Sequence, residues 1–305
     1  MAYLRRFTGL ALGLISLCLV ITGSVAVDAI SADVGISVES SGQRAASEGL
    51  PQSKIVKKSA KTTDQYYAAQ LDKLGIILHP GTEHREDSKP TAATSRKCKS
   101  LVYQTLMKLP AEQRNQLSDL TLFYTEDGRR GLGGSGSIVL RCLNVTDAEL
   151  VSVFTHEMGH IVDGSYLEGS ADGSASGFFD FDEPVKIDDP SSEFYKISWD
   201  SESKVKDDAV DLDFVSLYAM SDPFEDFAET YAYFRLHGPE FRKLLNSSSM
   251  LQEKYEFMKN DVFGGEEFGG IKKNLNIWER DYDVTVLPFS LRTFLTNGLK
   301  TAQTT

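Results

Sequence analysis

"NVTDAELVSVFTHEMGHIVDG", residues 144–164, decides how the rest of the chain is read. The stretch carries both ends of a helix. Thr146 with Glu149 three residues later forms a capping box, and Gly164 follows the last apolar positions. Val151, Phe154, Met158 and Ile161 fall on roughly one face, so the helix packs against a core. His156 and His160 stand four apart, on the same side and one turn from each other. Two imidazole nitrogens so placed can meet one metal ion at the ~2.0–2.1 Å that zinc prefers. Glu157 is turned about 100° from His156, so it does not ligate but faces the open coordination position. From there it can take a proton from a water that zinc has acidified to a pKa of about 7. With five histidines in 305 residues, composition alone yields His-Glu-x-x-His in about half a percent of such chains. The plainer alternative is two solvent-facing histidines on an ordinary amphipathic helix, and a third ligand distinguishes the two.

The chain offers that ligand. "SDPFEDFAETYAYFRLHG" (221–238) is a second helix, capped by Asp222, with Pro223 in the first position and Gly238 closing it. Glu225 and Glu229 lie four apart on it and repel by a few tenths of a kcal/mol in isolation. Phe224, Phe227, Tyr231 and Phe234 make it a core helix, whose carboxylates need a partner. An ion between the two helices turns that cost into ligation by one glutamate and support by the other. Locally, Glu225 could instead serve a capping box with Asp222, and Glu229 could be an exposed acid. No third histidine follows closely, since the chain continues "VDGSYLEGS". Two histidines, one carboxylate and water form a catalytic zinc arrangement, whereas a structural site is closed by four protein ligands.

His156-Glu157-Met158-Gly159-His160, followed by Tyr218-Ala219-(x)5-Glu225-Asp226-Phe227-Ala228-Glu229, resembles the catalytic domain of the anthrax lethal factor-like peptidases, which include secreted Pro-Pro endopeptidases. "LPAEQRNQLSDLTLFYT" (109–125) is similar to these proteins too, and the likeness covers roughly residues 64–245. The resemblance implies zinc ligands at His156, His160 and Glu225, a general base at Glu157, an oxyanion donor at Tyr218, and Glu229 orienting a ligand. Read without it, Tyr218 in "DFVSLYAM" is a buried aromatic near a helix end. The 57 residues between His160 and Tyr218 have no clear counterpart in the family, and nothing in this sequence resembles the further domains of the large toxin.

The rest of the chain sets the context. "MAYLRRFTGLALGLISLCLVITGSVAVDA" has a basic start, an apolar run and small residues at Ser24 and Ala26, so residues 1–26 read as a signal peptide. The apolar run is shorter than the ~20 residues of a spanning helix. Residues 27–62 read as a linker or disordered pro-region, and 63–300 as one metallopeptidase domain. Cleavage removes Arg5 and Arg6 and no acid, taking the formal charge from -12 to -14. So acidic a surface argues against nucleic acid as a partner. Cys98 and Cys142 are then the remaining cysteines, a disulfide pair outside the cytoplasm.

Asp64 is placed to cap a helix carrying Tyr67 and Leu71 and ending at Gly75. "ATSRKCKSLVYQTLMKLP" is a helix with Leu101, Val102, Leu106 and Met107 inward. "LTLFYT" (120–125) and "GSIVLRC" (136–142) read as strands joined by the Gly-rich "EDGRRGLGGS". Residues 164–200 read as a long surface excursion. His79 and His84 read as loop residues, and His237 as a helix C-terminal residue facing the dipole. "DFDEPVKIDD" (180–189) lacks the ordered ligand pattern of a calcium loop and reads as solvated. The expected protein is an α+β, mostly α-helical, zincin-like catalytic domain with a small sheet preceding the histidine helix. It is expected to be a secreted or extracytoplasmic monomer that binds one Zn2+, takes a protein or peptide substrate and holds no stable membrane association once the leader is gone. Two other readings stand beside it: a binding or adhesion module with a structural zinc, and a zinc hydrolase of a non-peptide amide.

Overall fold

The computed structural model describes residues 64–81, 90–170, 172–269 and 280–297. The leader, the segment 27–62 and His84 lie outside them. The order is α1 (Asp64–Lys73), β1 (Ile77–Pro80), α2 (Ala92–Leu106), α3 (Ala111–Arg114), β2 (Asp119–Phe123), β3 (Gly131–Gly134), β4 (Ser137–Arg141) and α4 (Asp147–Ile161). A π-helical turn (Val162–Tyr166) leads to β5 (Ala175–Asp180), β6 (Glu183–Lys186), α5 (Ser191–Ser198), β7 (Trp199–Ser201) and β8 (Lys204–Val205). Then come α6 (Pro223–Leu236), α7 (Gly238–Leu244), α8 (Ser249–Phe257) and α9 (Leu291–Asn297). This is a mixed α+β protein with about half its described residues helical and small sheets, less helix-dominated than the sequence suggests.

The main sheet has the order β1-β2-β4-β3, with β3 antiparallel to β4 and the other pairings parallel. Side chains alternate across a strand, and Leu120, Leu122, Ile138 and Leu140 fill one buried face. Leu101, Val102 and Leu106 of α2 and Val151, Phe154, Met158 and Ile161 of α4 belong to the same core. Met107, expected inward, is instead half-exposed just past the end of α2. Asp64 is the first residue of α1, and its carboxylate accepts from Ser95 Oγ (2.6 Å) and Lys99 Nζ (2.8 Å) of α2.

The Gly-rich link is the larger correction. Residues 131–134 are not merely a connecting turn but the edge strand β3. Glycine disfavours strands, yet β3 lies so close to α4 that a Cβ on Gly133 would stand 2.5 Å from the Glu157 carbonyl oxygen. Proximity to the helix selects the residue here. His79, likewise, is not in a loop: it lies on β1, its Nε2 2.7 Å from Asp119 Oδ1.

α4 begins at the expected cap, with Thr146 Oγ1 accepting from the Glu149 N–H at 3.1 Å, but the capping box is half-made, the Glu149 carboxylate lying 4.0 Å from Arg130 Nη1 instead. Just before it, Cys142 forms the disulfide to Cys98 of α2, closing a separation of 44 residues. Such a loop restricts the unfolded chain by about 4 kcal/mol, and the bond is compatible with an oxidising compartment. Among the described residues no helix is long and apolar enough to cross a membrane. α4 crosses α6 very closely: a Cβ on Gly159 would lie 2.8 Å from the Ala228 Cα.

The segment after α4 is only partly a surface excursion. β5 and β6 form an exposed hairpin over the acid-rich stretch, with Phe181 at its tip. α5 then turns inward and buries Phe194 and Tyr195, with Trp199 behind them. Three apolar side chains spread over six residues are too few to read as periodicity.

Phe194, Trp199 and Phe214 lie against an ion pair with no exposure at all, Asp226 of α6 and Lys254 of α8, 2.7 Å apart. Trp199 Nε1 (3.0 Å) and Ser198 Oγ (3.2 Å) also donate to Asp226, and Lys254 donates to the Asp213 carbonyl at 3.1 Å. Removing one partner strands a buried charge. Lys254→Ala is expected to lose about 3–5 kcal/mol of unfolding free energy, measured by urea denaturation followed by near-UV circular dichroism.

Candidate metal centre

Helix α4 presents His156 and His160 as an edge-to-face pair, ring centroids 5.0 Å apart. Opposite them, Asp222 caps α6 by accepting from the N–H groups of Phe224 (3.0 Å) and Glu225 (2.8 Å). That cap fixes the first turn of α6, so Glu225 projects back across the crossing toward the rings. Its Oε2 lies 3.2 Å from His156 Nε2 and 3.4 Å from His160 Nε2. Neither approach has hydrogen-bond geometry, which leaves this buried oxygen without a hydrogen-bond partner. The three donor atoms lie within 4.8 Å of one another, and the group could hold a metal ion.

The second glutamate has a different task. Glu229 is fully buried, and its Oε1 accepts from His156 Nδ1 at 2.8 Å. Its Oε2 accepts from Ser216 Oγ (2.5 Å) and from the Val284 N–H (2.8 Å). A carboxylate held on three sides keeps a proton on His156 Nδ1 and turns Nε2 toward Glu225. So the pairs four residues apart do meet, as the sequence anticipates, with distinct roles for the two glutamates.

Tyr218 donates to Glu225 Oε1 at 2.9 Å, and its ring stands 6.1 Å from that of His156. Its backbone N–H donates to the Tyr282 carbonyl (2.7 Å), while Leu217 N–H donates to the Asp281 carbonyl (3.0 Å). The segment 281–285 therefore runs beside the Tyr218 segment and delivers the Val284 N–H to Glu229. Asp283 of this segment binds Arg130 Nη2 at 2.6 Å, at the foot of β3. Ser216, Asp283 and Val284 have no local signal in the sequence. The alternation of Gly131 and Gly133 was the readable clue to a bare strand face.

Glu157 lies under that bare face. A Cβ on Gly131 would collide with its carboxylate. Burial raises the Glu157 carboxyl above its ordinary 4.5, against the opposing pull of the His156 and His160 rings. Burial would also raise Glu225, but the same two imidazoles hold it well below the carboxylate range. For His156 burial acts downward, and Glu225 with Glu229 outweigh it, keeping the ring well above 6.5. Burial, with the nearby Glu225 charge, raises the Tyr218 phenol well above its ordinary 10, so it stays a proton donor at neutral pH. Glu157, Tyr218, His156 and Glu229 line one cleft, bordered by Gly131 and the two arginines before it.

Behind His160, Asp163 is buried and receives the Tyr195 hydroxyl at 2.7 and 2.8 Å. Burial raises its carboxyl from 3.8 to about 7, with the Ser191 and Tyr195 hydroxyls limiting the rise. His237, placed at the C-cap of α6 as expected, is buried beside Tyr233 and Phe289 rather than solvent-facing.

Glu229→Gln loses the full-charge acceptor while keeping its shape. It is expected to weaken metal binding about 10–100-fold, read by competition with a chelating dye. For Asp163 the sign is fixed by its raised folded-state pKa. Below about pH 4 both folded and unfolded forms are protonated. Between there and pH 7 folding must retain a proton that the unfolded chain gives up. Metal-free protein should thus lose stability as pH rises through this window, by up to about 4 kcal/mol from this group. Asp163→Asn is expected to flatten that slope in melts taken at successive pH values. Comparison of the chain with family models, curated proteins and solved structures found no match, so what the centre does has to be read from its own geometry.

Proposed function

We propose that the chain is a secreted zinc-dependent endopeptidase, with His156, His160 and Glu225 as the protein ligands and a zincin-like catalytic domain around them. One observation carries the reading: a buried carboxylate that does not ligate, Glu157, stands beside a three-donor cluster that no fourth protein donor closes among the described residues. A structural site needs neither the spare base nor the vacancy in the donor set. The fit to zinc is metric. Ligand atoms ~2.0–2.1 Å from a tetrahedral ion stand about 3.4 Å apart, and Glu225 Oε2 is 3.2 and 3.4 Å from the two Nε2 atoms. The partnerless Glu225 oxygen and the His156 ring, anchored through Nδ1 with Nε2 facing Glu225, fit the same ion.

When bound, zinc supplies Lewis acidity that makes hydroxide available near neutral pH and polarises a carbonyl. The chain's own residues do the rest. Glu157 takes the proton of the attacking water and returns it to the leaving amine, a transfer helped by its raised pKa. Tyr218, kept protonated, donates to the oxyanion as it develops, exchanging its bond to Glu225 for one to substrate. A donor so placed is commonly worth ~3–4 kcal/mol. Strand β3 has an open edge, and an extended peptide can pair along it as an added strand. The pattern of ligands, base and tyrosine is the one the resemblance to lethal factor-like peptidases implies.

Glu157→Gln is expected to retain one metal ion per chain and to cut turnover on a peptide library about 10²–10⁴-fold, whereas Glu225→Ala should lose metal and cleavage together. Full turnover in Glu157→Gln would sink the reading and return the centre to a structural role.

A further inference from the structure

The two arginines that precede β3, Arg129 and Arg130, have different fates. Arg130 is committed to the fold: it pairs with Asp283 at 2.6 Å, bonds Thr285, and has Glu149 at 4.0 Å. Arg129 is exposed, and among the described residues no carboxylate pairs with it. This is unusual company for a free guanidinium. The chain has 44 acidic against 32 basic residues, and Glu157 and Glu229 line the same cleft as Arg129.

The strand and the cleft lining together give Arg129 its place. Side chains two apart share a face, and the Cβ positions of Gly131 and Gly133 point at Glu157. Arg129 stands two residues before Gly131, just outside the strand, and lines the same cleft as Glu157. It therefore stands at one end of the cleft, beyond the position where Glu157 meets the strand. A guanidinium presents a planar fork of N–H donors matched to a carboxylate, and it cannot lose its charge.

We propose that Arg129 forms a subsite for a carboxylate on the bound peptide, within about two residues of the reacting bond. The group is an Asp or Glu side chain or the terminal carboxylate of the peptide itself. The proposal rests on the reading that this cleft takes peptides, and it adds the substrate class: acidic at one position near the cut. The overall negative charge of the protein opposes acidic peptides at long range, so the preference is local to that one position.

The test uses the full chain with matched peptides bearing Glu, Gln or Lys at each position around the cut, each with a free or amidated C-terminus. Two readouts are taken, cleavage by the metal-loaded protein and fluorescence anisotropy of binding to Glu157→Gln. Glu is expected to exceed Gln roughly ten- to a hundredfold at one position. Arg129→Met should erase that preference, and Arg129→Glu should turn it toward Lys. If amidation alone removes the effect, the carboxylate is the terminal one; if amidation changes nothing, it is a side chain. No preference in the unmodified protein, or one that persists in Arg129→Met, overturns the subsite. Acid-selective, Arg129-dependent binding without cleavage of any peptide would leave the subsite standing and remove the peptidase reading instead.

Discussion

Everything at the centre depends on how closely helix α4 can approach its neighbours. On one side Gly159 lets the α6 backbone come within a distance at which a Cβ would stand 2.8 Å from the Ala228 Cα. On the other, Gly131 and Gly133 let β3 lie directly on Glu157. The second half of α4 is thus gripped by main chain on two flanks. Packed interiors transmit a misfit of even one methylene, so the missing side chains hold the donor distances. Two residue pairs spaced one turn apart, on helices this near, place three donors around one point with no loop rearrangement.

The centre is also a balance of charges that none of its members could keep alone. His156 is held between Glu225 and Glu229, while Glu157 and Asp163 sit behind in apolar surroundings that favour their neutral forms. Buried charge is tolerated where it is paired and hydrogen-bonded. A cation bound among these groups would relieve repulsion as well as make ligand bonds, so binding there couples to the stability of the fold.

What the sequence discloses follows the range of the signal. The two pairs four apart, the caps at Thr146 and Asp222 and the disulfide between Cys98 and Cys142 rest on nearby residues or on compartment chemistry, and the structure places each where the spacing puts it, whereas α4 runs past its expected end at Gly164 as a π-helical turn. Strand β3 was hidden because glycine carries no side chain to form a pattern, and His79 because four residues of edge strand look like a loop. The inward turn of α5 was masked by the polar stretch before it. Ser216, Asp283 and Val284 reach the centre through backbone paths that no local window contains. Tyr218 is intermediate: its place beside Glu225 was implied by a resemblance, and its hydrogen bond is a property of the fold.

The span of those paths sets an order of assembly. His156 and Glu229 are 73 residues apart, Glu229 and Val284 are 55, and Arg130 and Asp283 are 153. Contacts of such range form late, because the chain must first close long loops. The helices and the sheet can gather while the last segment is still unplaced, but Glu229 then lacks one of its three anchors. On a ribosome, residues 281–285 emerge after His156, His160 and Glu225 have been made, and the cluster reaches its final geometry only when they dock. The donor cluster therefore takes its final shape as the closing act of folding.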